Sequence, residues 1–141
     1  MSGDRHRLKR LQRLEQVRAI AKQVAALEAA RAEGTLAQLV ALADRVTALA
    51  TDYGARDDAP DALALQQLVR FAGGLRQVSE TTRSDAGQAR TSADRKQTEL
   101  ARAERRRGAV AERAVVEARA AAARRTPALI GARRAVGTGF E

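Results

Sequence analysis

The sequence predicts an all-α protein, an elongated antiparallel coiled-coil hairpin of two long helices. Three observations carry this. The chain of 141 residues is 45% hydrophobic, yet that share is dominated by alanine, with two Phe, one Tyr and no Trp, so a thick globular core is not expected. Ala, Leu, Arg, Glu and Gln, which favour helix, fill most of the chain, and prolines number two. Apolar residues recur in alternating steps of three and four, the period of a coiled-coil seam.

The first helix is expected over residues 5–53, roughly 70 Å at 1.5 Å per residue. Its strong apolar positions are Val17, Ile20, Val24 and Leu27, then Leu39, Leu42, Val46, Leu49 and Tyr53. Between these runs the phase breaks around Arg31 and Gly34, and ahead of them Leu8, Leu11 and Leu14 recur in steps of three. A drifting stripe and a local change of supercoil follow. The stretch "TDYGARDDAPDAL" then stops the helix, with Gly54 suited to the left-handed position past a C-terminus and a turn over 54–58. Asp57 or Asp58 is the expected cap of the next helix, Pro60 falls in its first turn, and Asp61 favours the positive end of its dipole.

The second helix, residues 59–125, carries one heptad seam: Leu68, Ala72, Leu75, Ser79, Thr82, Ala86, Ala89, Ala93, Lys96, Leu100, Ala103, Arg107, Val110 and Ala114. Small seam residues allow close approach but bury little area, so at about 25 cal/mol per Å² the middle contributes weakly. Pro127 is expected to end the helix, because a proline pushes the residue before it out of the helical region. Residues 126–141, closing on "GTGFE", read as a flexible tail. The whole chain forms a single hairpin domain.

A formal charge of +9 favours acidic partners. There is no cysteine, and His6, the lone histidine, cannot build a metal site of the usual kind. No glycine-rich loop ending in Gly-Lys and no Ser/His or Cys/His pair is present, so neither an enzyme nor a cofactor is expected. Lys9, Arg10 and Arg13 interrupt what would be the apolar core of a signal peptide, and no stretch approaches the roughly 20 apolar residues of a spanning helix.

Two surfaces stand out. In "RHRLKRLQRLEQVRAI", residues 5–20, Arg5, Arg7, Lys9, Arg10, Arg13 and Arg18 accompany one acid, Glu15. A hairpin turning near residue 57 sets Leu8 opposite about residue 107, bringing Arg105, Arg106 and Arg107 to the same end, while Asp52, Asp57, Asp58 and Asp61 mark the other. Near that tip, Leu36, Val40 and Ala43 with Phe71, Leu75 and Val78 widen the apolar face beyond what two helices bury. Nucleic-acid binding is disfavoured by the missing stacking aromatics, and membrane-surface binding by the missing interfacial anchors.

With "RHRLKRLQRLEQVR" at its start and "KQTELARAERRRGAVAER" in its returning arm, the chain resembles the flagellar export protein FliJ family over about residues 5–120. The resemblance implies a cytoplasmic, peripheral component of the flagellar type III export apparatus. Such a coiled coil occupies the pore of the export ATPase ring and links that ring to the export gate at the membrane. Export chaperones are further partners in prospect. Matching the ring-facing surface are Arg5, Arg7, Leu8, Arg10, Leu11 and Arg13, and Leu42, Tyr53, Phe71 and Leu75 are the gate-facing candidates. The equivalent stalk of a non-flagellar secretion system, a generic coiled-coil scaffold, and a basic nucleic-acid-associated protein are the alternatives.

Overall fold

The computed structural model describes residues 2–56 and 58–136, with side chains as far as Thr126. Asp57 and the last five residues of the expected tail lie outside them. The architecture is all-α, as the composition dictates: α1 spans Ser2–Ala55 and α2 spans Ala62–Val136. Contacts divide the chain into two units, Met1–Ala25 with Leu100–Glu141, and Ala26–Glu99. In each, a stretch of α1 packs against an antiparallel stretch of α2.

In the second unit the pairing is defined by Glu28 with Lys96 at 3.1 Å and by the Thr47 and Ser79 hydroxyls at 2.8 Å. Its core is small: Ala29, Ala43, Val46, Ala50, Ala72 and Ala93 are the buried apolar residues, and Ala93 is fully enclosed. Ser79 and Thr82 are buried beside them. Their hydroxyls are satisfied, Ser79 by Thr47 and Thr82 by donating to the Val78 carbonyl at 2.7 Å, so they carry no penalty for burying an unpaired polar group. Lys96 lies between Glu28 and Glu99, whose hydrogen bonds and charges raise its pKa.

The α2 seam follows the expected heptad from Leu68 to Ala114, with every member buried or half-buried except the exposed Arg107. The α1 seam does not. Val17, Ile20, Val24 and Leu27 are exposed, as are Leu42 and Leu49. The half-buried or buried positions run instead through Asp4, Leu8, Leu11, Glu15, Arg18, Lys22 and Ala25, then Ala29, Ala32, Leu36, Leu39, Ala43, Val46, Ala50 and Tyr53. These keep one heptad phase throughout, so the expected phase break at Arg31 and Gly34 is absent. Leu8, Leu11, Leu36, Leu39 and Val46 already share this phase, which places Ala43 and Ala50 inward and Leu42 and Leu49 outward.

The turn also differs from expectation. Gly54 does not adopt a left-handed conformation; it is helical, and Arg56 N–H closes the last turn on the Tyr53 carbonyl at 3.4 Å. Asp61, not Asp58, caps α2: its carboxylate accepts the Ala64 N–H at 2.7 Å, and Pro60 precedes the cap rather than lying in the first turn. At the far end α2 continues past Pro127 to Val136. A proline costs a helix interior about 3 kcal/mol, a penalty that a run of good formers such as "ARAAAARR" offsets.

Register is the largest correction. Leu8 shares a groove with Ala121, Arg124 and Arg125, two heptads beyond the residue expected opposite it. At the turn, Tyr53 packs on Phe71, so the first two turns of α2 run ahead of the end of α1. Six linker residues in extended form reach up to about 20 Å, against about 11 Å for two helical turns, so the linker has the length to carry the chain outward before α2 returns. Arg105, Arg106 and Arg107 therefore do not face Leu8.

Candidate interaction surfaces

The first unit presents the opening segment as a helix with one face committed to α2. Leu8 and Leu11 are half-buried in the seam, as their heptad phase requires, while Arg5, Arg7, Arg10 and Arg13 are exposed. Leu11 and Leu14 floor a groove rimmed by Arg7, Arg10, Arg113 and Glu117. The expected basic cluster is thus present with different α2 partners: Arg113 and Arg125 replace the block at 105–107.

Arg124 and Asp4 close this unit with an ion pair of 2.7 Å. The hydrogen bond from Arg124, then its charge, holds the Asp4 carboxyl below the usual carboxylate range. A carboxyl depressed in the folded state contributes stability above its unfolded pKa and loses it as pH falls through the folded one. Acidification from neutral pH should therefore lower the melting temperature of wild type more than that of Asp4→Asn. Equal acid sensitivity in thermal melts would show that the pair contributes nothing. Both side chains are well exposed, so the difference should be small. Further along the seam Arg18 lies with its stem half-buried and its Nε enclosed without a protein partner.

In the second unit the expected gate-facing residues divide. Tyr53 is half-buried and meets Phe71 edge to face, with centroids 4.8 Å apart at 76°. The Arg56 guanidinium lies 4.2 Å from the Tyr53 ring centroid and binds Asp52 at 3.2 Å. Leu75 sits half-buried in the seam, Phe71 remains 53% exposed, and Leu42 lies outside the seam. Of the wide apolar face, Leu36 and Ala43 go into the seam, whereas Val40 and Val78 stay exposed. The acids near the turn are partly engaged locally, Asp52 by Arg56 and Asp61 by the cap.

Two apolar surfaces were not anticipated as such. Leu63, Leu65 and Val69 are exposed on the first turns of α2, because these turns precede the end of α1. Their offset from the phase of Leu68, Ala72 and Leu75 was the available signal. Val17, Ile20 and Val24 have seam spacing yet are exposed, and only the phase of Leu8 and Leu11 places them off the seam. Among the described residues no helix is long and apolar enough to cross a membrane, and no group of three or more metal-ligating side chains comes together.

No family model, no curated protein and no solved structure matches this chain.

Proposed function

We propose that this protein is the coiled-coil stalk of a type III protein export apparatus, of the flagellar kind, which enters the export ATPase ring by its basic end and connects that ring to the export gate. The observation that carries the reading is the pairing of two long antiparallel helices with four arginines, Arg5, Arg7, Arg10 and Arg13, exposed on the first turns of α1. A helical pair is narrow enough for a ring's pore, and outward guanidinium groups suit an acidic lining. Leu8 and Leu11 hold the arms together rather than touch the ring. The role implies a position at the cytoplasmic face of the inner membrane, with export chaperones as further clients.

Phe71 is the residue on which the gate part of the reading turns. Truncating a fully buried Phe costs about 3–5 kcal/mol, so a ring 53% exposed and resting on Tyr53 should cost about half of that or less. Phe71→Ala should melt only slightly below wild type and bind the gate's cytoplasmic domain more weakly. The ATPase, captured on the immobilised full chain, should be retained by both proteins. A chain that captures neither component but binds duplex DNA, with affinity falling steeply as salt rises, would replace this reading with nucleic-acid association.

A further inference from the structure

Between Val17 and Val24, α1 carries its largest β-branched side chains on the wrong side for the hairpin. Val17 is 59% exposed, Ile20 60% and Val24 51%, while the positions turned towards α2 are Glu15, Arg18, Lys22 and Ala25. At 100° per residue the three apolar residues share one face nearly opposite that seam. Their steps of three and four are those of a second coiled-coil seam. The same heptad phase runs back to Arg13 and Arg10, both exposed; the nearby α1 acids are turned away or engaged, Glu15 in the seam and Asp4 on Arg124, and Glu117 of α2, which borders the groove beside Arg10, makes no ion pair with it.

We propose that this outer face of α1 is a docking seam for an amphipathic helix of a partner protein, one whose apolar heptad is followed by acidic residues placed to meet Arg13 and Arg10. Charge selects that occupant. A parallel second copy would set Arg10 and Arg13 against themselves, and an antiparallel copy centred on the stripe sets Arg10 against Arg31, while the Glu28 it brings to Arg13 is already held by Lys96; both oppose self-pairing. A lipid surface is a poorer match, because the narrow stripe has no aromatic anchor and Arg13 shares its azimuth. A third helix buries the stripe and satisfies the arginines together. The inference does not depend on the stalk reading, since the stripe variants below keep all four arginines and the probe is not an ATPase.

The test uses the full chain and a dye-labelled synthetic heptad peptide with Leu at its core positions and Glu at the following ones, beside a peptide with Lys in place of Glu. Anisotropy titration should show the Glu peptide binding at least about tenfold more tightly than the Lys peptide. The triple variant Val17→Gln, Ile20→Gln, Val24→Gln should weaken it by about a hundredfold with melting unchanged, because glutamine is a good helix former and the sites are exposed. Arg10→Glu with Arg13→Glu should reverse the preference between peptides. A triple variant that melts far below wild type would assign the stripe to internal packing. Sedimentation showing self-association that the triple variant abolishes would assign it to a second copy. Binding to phosphatidylglycerol vesicles without peptide binding would assign it to a membrane surface. Each of these three outcomes, or equal affinity of wild type and triple variant for the Glu peptide, overturns the proposal.

Discussion

Ala93→Glu should abolish stable pairing of the second unit, lowering its stability by about 3–5 kcal/mol, the cost of leaving a buried charge without a partner. Ala93 is the one side chain among the described residues with no exposure, and it stands in a stretch of seam whose other members are Ser79, Thr82, Ala86 and Ala89. A glutamate there meets both constraints at once: no room for its volume and no water for its carboxylate. Whole-domain stabilities of about 5–15 kcal/mol leave little margin for such a loss. Ala37→Glu is the control, because Ala37 is exposed on α1 and a substitution there should stay within about 0.5 kcal/mol. Thermal melts followed by circular dichroism decide the matter. If the two variants melt alike, the small-residue seam is not where the helices meet.

How far the sequence was readable follows from the same residues. The α2 seam was legible from Leu68 to Ala114 because one heptad phase runs through it and no rival apolar stripe competes. On α1 two phases compete, Leu8, Leu11, Leu36, Leu39 and Val46 on one, Val17, Ile20 and Val24 on the other. Seam spacing alone does not choose between them. What decides is continuity along the helix: only the phase of Leu8 and Leu11 passes without a break through Leu36, Leu39 and Val46. Register was not readable either, since it depends on where α2 begins relative to the end of α1, and an offset of two turns there shifts every facing pair. The corrections at Gly54 and Pro127 have a common origin, because local signals for ending a helix are each worth only a few kcal/mol and neighbouring helix formers override them.

The candidate site was legible in part. The exposure of Arg5, Arg7, Arg10 and Arg13 follows from Leu8 and Leu11 lying on the seam, which leaves the arginines around them facing out. Their α2 neighbours could not be read, since Arg113 and Arg125 come beside them only through the register. Phe71 was readable as surplus to the seam, whereas its edge contact with Tyr53 depends on where α1 ends.

The most direct test of the stalk account is the affinity of the cognate export ATPase for the chain carrying Glu at positions 5, 7, 10 and 13 in place of arginine. The exchange reverses four charges in a protein of net +9, all at exposed positions of the first turns of α1. Glutamate is nearly as good a helix former as arginine and the positions are exposed, so helicity should be retained, and unchanged circular dichroism separates a loss of binding from unfolding. Charged contacts at an interface govern both steering and the cost of wrong juxtaposition, and a like-charge meeting costs several kcal/mol. Calorimetric titration of the assembled ATPase should therefore show wild type binding and the variant at least about a hundredfold weaker, with unchanged circular dichroism. Equal affinities for the two proteins would contradict the account and remove the basic end of α1 from any contact with the ring.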